Sequence, residues 1–157
     1  MVNPAPSVRV LQAGDAPILR EMLRVFAEAF EDAPAYLHHA PDDAYLEELL
    51  SDRGFVAIAA YRHGRVVGAL AGYVLRKFEQ RRSEFYIYDL AVLADHRRQG
   101  LASAMIRELQ HLAAERGIYV IYVQADHGDD PAVALYTRLG VREDVMHFDI
   151  PPLPRTG

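Results

Sequence analysis

Asp89-Leu90-Ala91-Val92-Leu93-Ala94-Asp95-His96-Arg97-Arg98-Gln99-Gly100-Leu101-Ala102 is the stretch on which the fold reading turns. A run dense in aromatic and β-branched residues, Phe85 to Leu93, enters a turn crowded with Arg and Gly. An amphipathic helix is predicted to follow at once, from about Gly100 to Arg116, with Gly117 as its C-terminal cap. The first turn of such a helix leaves backbone N–H groups without partners and carries about half a unit of positive charge. Gly100 and Ala102 let an anion approach the main chain, and Arg97 and Arg98 add charge. The combination suits a pyrophosphate. It is not a Walker loop, since no Gly-Lys-Ser/Thr follows, and the GxGxxG fingerprint is missing. Taken alone, the same residues also describe an ordinary helix start with two solvated arginines.

Working outward, a short strand is expected at Val8 to Leu11. Asp15 can then cap a helix with apolar positions Leu19, Met22, Leu23, Phe26 and Phe30. A connection containing Pro and His, Ala33 to Pro41, leads to a second helix from Asp42 or Asp43. Phe55 to Tyr61 and Arg65 to Leu75 flank His63-Gly64 and read as a hairpin. Beyond the first helix-opening turn, Tyr119 to Ala125 reads as a strand, Pro131 to Leu139 as a short helix closed by Gly140, and Val141 to Ile150 as a last strand. The order β-α-α-β-β-β-α-β-α-β predicts a mixed sheet with helices on both faces. Only the ends look loose, with Pro4 and Pro6 at one and Pro151, Pro152 and Pro154 at the other.

The chain has 157 residues, 51% of them hydrophobic, enough for one domain with a core. Lys plus Arg is 17 against 22 for Asp plus Glu, a net charge of -5 that argues against duplex nucleic acid as partner. No cysteine is present, which removes disulfides, zinc-thiolate sites and thiol nucleophiles. None of the seven histidines has metal-ligand spacing, so no metal is expected. His127 fits either a proton relay or an exposed turn. No apolar run approaches the ~20 residues of a membrane span, and Met1 to Pro6 does not read as a signal peptide. The expectation is a cytoplasmic protein without a membrane partner.

The spacing Arg97-x-x-Gly100-x-Ala102 resembles the Q/R-x-x-G-x-G/A signature of the GNAT superfamily of acyl-CoA-dependent N-acyltransferases. The resemblance extends over nearly the whole chain and implies a single GNAT domain, residues 1–157 with a core of about 8–150. It implies an α/β fold of mixed α+β type, a mostly antiparallel sheet splayed after its fourth strand. Acetyl-CoA is then the cosubstrate. Its pyrophosphate would lie on the loop and helix start formed by Arg97, Arg98, Gln99, Gly100, Leu101, Ala102 and Ser103. Its pantetheine arm would pair with the backbone of Leu90, Ala91 and Val92. Asp130 to Gly140 is similar to the family's later N-x-x-A-x-x-x-Y-x-x-x-G helix, with Asp130 in place of Asn and Val133 in place of Ala. This makes Tyr136 the candidate catalytic phenol beside the thioester sulfur, where it can protonate or stabilise the leaving thiolate. A packing aromatic is the other reading of Tyr136.

An attacking alkyl amine must be neutral, and deprotonation near pH 7 costs roughly 4 kcal/mol, about three pKa units. Asp89, an acid inside an apolar strand, is the candidate catalytic base and substrate contact, with a structural hydrogen-bonding role as the alternative. Asp126 and Asp129 lie at the end of the following strand, where ligands of open α/β sheets gather. Asp130 is the expected helix cap, leaving Asp129 for substrate. Glu31 and Asp32 add negative charge near the first helix's end. Within the superfamily, Tyr86 to Val92, His96 to Gly100, Tyr119 to Asp126, Gly128 to Tyr136 and Val145 to Ile150 together look like the aminoglycoside 3-N-acetyltransferases of GNAT type. That likeness implies acetylation of the 3-amino group of the 2-deoxystreptamine ring, a cationic substrate, by direct transfer. The alternatives are a transferase for another amine and a non-catalytic acyl-CoA-binding module. The apolar last strand can complete a neighbour's sheet, so a homodimer is expected.

Overall fold

In the computed structural model, residues 5–157 are described; the part of the Met1 to Pro6 reading that falls on residues 1–4, Pro4 included, lies outside them. The described chain divides into a unit running to Gln124 and a second unit, Ala125–Gly157.

The first unit is built on a five-stranded sheet in chain order: β1 (Ser7–Val10), β2 (Phe55–Arg62), β3 (Arg65–Arg76), β4 (Ser83–Val92) and β5 (Ile118–Val123). Three antiparallel pairings are made by two hairpins and a long return; β4 and β5 run parallel, joined by a helical crossover. The β2–β3 hairpin turns at His63 and Gly64, both with positive φ, as a two-residue primed turn demands.

Helices α1 (Ala16–Ala29), α2 (Asp43–Ser51) and α3 (Leu101–Arg116) cover the sheet. The alternation along β2 shows how. Ala57 and Ala59 pack with Leu19, Met22, Val25 and Phe26 of α1 and Leu46 of α2. The intervening Val56, Ile58 and Ala60 are also buried, pointing to the opposite face. There a Cβ on Gly68 would stand 3.1 Å from both Ala60 and Met105 of α3. A central strand buried on both faces is nearly all apolar for this reason.

Local signals were mostly met. Asp42 caps α2, its carboxylate accepting from Tyr45 N–H at 2.9 Å, and Gly117 ends α3 in the left-handed region. Asp15 stands at the start of α1 but does not cap it. Its carboxylate accepts from Arg9 (2.6 Å) and from the Gln12 amide (2.9 Å). Glu47 of α2 takes the open amides instead, accepting from Gly14 N–H at 2.8 Å and Ala16 N–H at 3.0 Å. The Ala33 to Pro41 connection contains one π-helical turn, Pro34–His38.

The second unit holds α4 (Asp130–Leu139). Its cap is Asp129 rather than Asp130: the Asp129 carboxylate accepts from Ala132 N–H at 3.3 Å, while Asp130 is already helical. The expected last strand, Val141 to Ile150, is not a strand. The segment pairs with no strand among the described residues, and its large apolar side chains stand in solvent. A period of two makes a segment fit to be a strand, but only a partner's backbone makes it one.

Candidate active site

The sheet splays where the sequence placed the chemistry. β5 pairs with β4 from Ser83 to Ile87, while β4 runs on to Val92 against β3. From Tyr88 to Val92, β4 has no strand on its β5 side among the described residues. Leu90, Ala91 and Val92 lie on this open edge, as an extended ligand arm requires.

Just before them the strand is bulged. Ala71 opposes Asp89 and Gly72 opposes Ile87, so Tyr88 is left over. A bulge bends its strand and re-aims the neighbouring side chain. The approach is close at Gly72, where a Cβ would come within 2.2 Å of the Tyr86 carbonyl oxygen and 2.6 Å of the Phe85 ring. Only glycine fits.

Asp89, half-buried beside this bulge, accepts a hydrogen bond from the Tyr36 hydroxyl at 3.0 Å. Burial pushes the Asp89 carboxyl above the ordinary range, and the Tyr36 bond pulls it back down. Tyr36 itself is raised far above an ordinary phenol by burial and by the Asp89 charge, so it remains a donor. Its ring is fixed by Phe26 and Phe30, with centroids 5.7 and 5.9 Å away. Around Asp89 a row of rings crosses four strands: Phe55, Tyr73, Tyr88, Tyr86 and Tyr122, each 4.8–5.9 Å from the next. Tyr73 and Tyr88 are exposed. An aromatic surface with one carboxylate in its midst attracts a cation both by charge and by ring quadrupole.

At the other end of the open edge stands the Arg/Gly turn. Arg97 folds back so that its Nε donates to the Val92 carbonyl at 3.1 Å. Arg98 and Gly100 both have positive φ, 59° and 76°. The first hydrogen bond of α3 runs from Ala104 N–H to Gly100 O (2.9 Å), and no side chain caps the helix. The amides of Leu101, Ala102 and Ser103 therefore precede the ladder without a partner within it. Gln99 turns inward, its amide nitrogen donating to Asp95 O at 3.4 Å and its oxygen 3.5 Å from Arg62 Nε.

Of the other predicted contacts, Asp32 is near enough to Tyr36 to raise its pKa, and its carboxylate also accepts from Ala35 N–H at 3.1 Å, closing the π-helical turn. Glu31 is exposed at a positive φ of 52°. The side chains of Glu31 and Asp126 make no hydrogen bond or ion pair among the described residues. In the second unit, Tyr136 is raised to about 12, chiefly by burial and then by the Asp129 charge. Tyr36 and the ring row were missed from sequence; the aromatic density of β4 was a signal for the row, while Tyr36, in the π-helical turn, had none. A concavity of about 660 Å³ lined by Arg9, Glu21, Tyr61, Arg62 and His63 holds none of these groups. No cluster of His, Asp or Glu suited to a metal occurs among the described residues, and no helix among them is long and apolar enough to cross a membrane.

A model of the acetyltransferase (GNAT) family matches residues 19–141. The chain belongs to the GNAT acetyltransferase family. Acetyl-CoA is the cosubstrate that this fold implies, and the open β4 edge and bare α3 N-terminus fit its extended arm and its diphosphate. Among solved structures, this GNAT chain is similar to an aminoglycoside acetyltransferase from an uncultured soil metagenomic sample. The two are 49% identical with a TM-score of 0.92, over 94% of this chain and 99% of that one. A second soil metagenomic aminoglycoside acetyltransferase, in complex with sisomicin, is 30% identical with a TM-score of 0.86, over 94% and 96% of the two chains. A curated relative, N-acetyltransferase 8B of Rattus norvegicus, is 28% identical over 99 residues, 63% of this chain. The match spans only 45% of that relative's length.

Proposed function

We propose that this GNAT enzyme acetylates an aminoglycoside, at the 3-amino group of the 2-deoxystreptamine ring, and that its activity in the cytoplasm confers resistance. The observation that carries the substrate class is the 49% identity, over 94% of the chain, to an aminoglycoside acetyltransferase. The half-buried Asp89 among exposed tyrosines supports it, because the substrate is a rigid sugar bearing several ammonium groups. The 3-amino regiochemistry rests on the sequence likeness of Tyr86 to Val92, Gly128 to Tyr136 and Val145 to Ile150 to the 3-N-acetyltransferases.

Transfer is direct, since the chain holds no cysteine to carry an acyl group. Asp89 draws the substrate ammonium in and takes its proton. The freed amine attacks the thioester carbonyl, a C–N bond forms, the C–S bond breaks, coenzyme A leaves as thiolate, and the nitrogen loses its second proton to solvent as the amide forms. Tyr136 donates a hydrogen bond to that sulfur, which ends as the free thiol. Arg97, Arg98 and the amides of residues 98–103 hold the diphosphate. Asp126, Asp129, Glu31 and Asp32 contribute negative charge toward the cationic acceptor.

The test is acetyl transfer from acetyl-CoA to gentamicin, with the new amide located by NMR. An amide at the 3-amino group supports the full reading. An amide at another amino group retains the substrate class and overturns the regiochemistry. Coenzyme A release only with polyamines or peptides overturns both.

A further inference from the structure

Strict alternation along β4 would send Tyr88 and Asp89 to opposite faces of the sheet, and the bulge interrupts it. The result is a carboxylate set among rings. Burial first, and then neighbouring charges that include Asp89, raise the phenols of Tyr73 and Tyr86. Tyr88 stands nearly perpendicular to both ring neighbours, at 83° to Tyr73 and 70° to Tyr86, with centroids 5.9 and 5.7 Å away. The three rings therefore make a corner, not a flat wall.

The corner is held at both ends and open in the middle. Tyr86 stacks on Tyr122 at 4.8 Å, and its hydroxyl donates to Gln124 Oε1 at 2.8 Å. Tyr73 packs on Phe55 at 5.7 Å. Yet Tyr73 is 41% exposed and Tyr88 62%, and neither hydroxyl makes a hydrogen bond among the described residues. Tyr45 of α2, also exposed, lies near enough to Tyr73 to act on its phenol. Exposed apolar faces gathered in this way mark a ligand groove. Tyrosine suits the purpose, offering a large rigid face with few torsions to freeze.

A carboxylate alone would accept any alkyl ammonium. A corner of fixed rings adds a demand on shape. A six-membered ring with equatorial amino groups offers a flat C–H face and has few torsions left to lose on binding. A linear polyamine of equal charge must freeze each of its torsions to lie there. On the basis that an aminoglycoside is the acceptor, we infer that Tyr73 and Tyr88 are specificity-determining residues. Their corner packs on the C–H face of the acceptor's ring while Asp89 takes an ammonium at its edge, so a cyclic polyamine is selected over a linear one.

Steady-state acetylation of gentamicin tests the selection. Tyr73→Leu and Tyr88→Leu should each raise the gentamicin KM about tenfold, with kcat changed by less than about threefold and the acetyl-CoA KM by less than about twofold. Tyr73→Phe and Tyr88→Phe keep the ring and should recover most of that loss. Spermidine, a linear polyamine, should compete with a Ki at least about tenfold above the gentamicin KM, and the leucine variants should change that Ki by less than about twofold. On the unaltered protein, saturation of tyrosine ring protons should transfer by NMR to the ring C–H protons of bound gentamicin. A gentamicin KM that is unchanged in both leucine variants overturns the selection and leaves the aminoglycoside as acceptor. So does spermidine binding that weakens as much as gentamicin binding, or saturation transfer that misses the ring protons. A wild-type protein that does not acetylate gentamicin overturns the acceptor itself, and the selection with it.

Discussion

The Tyr36 hydroxyl donates to the Asp89 carboxylate across 3.0 Å, although 53 positions separate them in the chain. The bond joins a π-helical turn after α1 to a bulged strand in the sheet. It acts on the charge state of an acid placed inside the aromatic surface. Burial favours the neutral carboxyl and Tyr36 favours the carboxylate, so the tyrosine helps hold Asp89 in the form able to take a proton.

Tyr36→Phe therefore moves the acid limb of the kcat/KM profile. Activity falls as pH drops through the pKa of Asp89, which already lies above its ordinary value. Loss of the hydrogen bond raises that pKa further, shifting the limb to higher pH. At neutral pH kcat/KM should fall about tenfold, the scale of one hydrogen bond to a charged group. If Tyr36 only packs, the limb stays in place.

Asp89→Asn should lower turnover by about 10²–10⁴ while acetyl-CoA binding persists. The same change should stabilise the fold at pH 7. A carboxyl whose pKa is raised by folding favours the folded state most below its unfolded pKa, and that stability is lost as pH rises through the folded pKa. Asparagine removes the buried charge and keeps an oxygen for Tyr36. Thermal melts should show the variant above wild type at pH 7 and the gap closing in acid, each kcal/mol being worth about 2–4 °C in a chain of this size.

Gly72→Ala tests the bulge that aims Asp89. A methyl group 2.2 Å from the Tyr86 carbonyl oxygen forces the strand apart. Urea denaturation should show a loss of about 2 kcal/mol or more, the upper part of the range for overpacking a close-packed interior. Folded variant protein should also transfer acetyl more slowly.

Arg98→Glu tests the turn. Reversing the charge beside the unpaired amides of Leu101, Ala102 and Ser103 should raise the acetyl-CoA KM about tenfold and leave kcat within a factor of about three. An unchanged KM would return the turn to being an ordinary helix start.

What could be read from the sequence was local or periodic. The His63-Gly64 turn, the Asp42 cap, the Gly117 stop and the order of elements through β5 depend on neighbours within a few residues. Contacts made at a distance were hidden. Glu47 covers amides of Gly14 and Ala16 from another helix, and Asp15 turns to Arg9 instead. Tyr36 was hidden in the same way, in a turn with no regular period. Cap choice failed at Asp129 and Asp130 because two adjacent acids satisfy the same rule and backbone geometry alone selects one. Residues 141–150 show the opposite case, a correct period with no paired strand among the described residues.

Tyr136→Phe separates proton donation from hydrogen bonding at the leaving sulfur. With its pKa pushed up to about 12, the Tyr136 phenol keeps its proton across the working range. A thiol pKa near ~8.5 makes full transfer from this phenol to a thiolate unfavourable by about three units or more. In the proposed reaction its contribution is therefore a hydrogen bond that strengthens as charge develops on sulfur, while solvent supplies the final proton. The expected loss in kcat is about tenfold, not the larger factor of a true general acid, with the acetyl-CoA KM nearly unchanged. The basic limb of the profile should be the same in both proteins, because Tyr136 does not ionise there. A thousandfold loss, or a basic limb that vanishes with the hydroxyl, would make Tyr136 the acid itself.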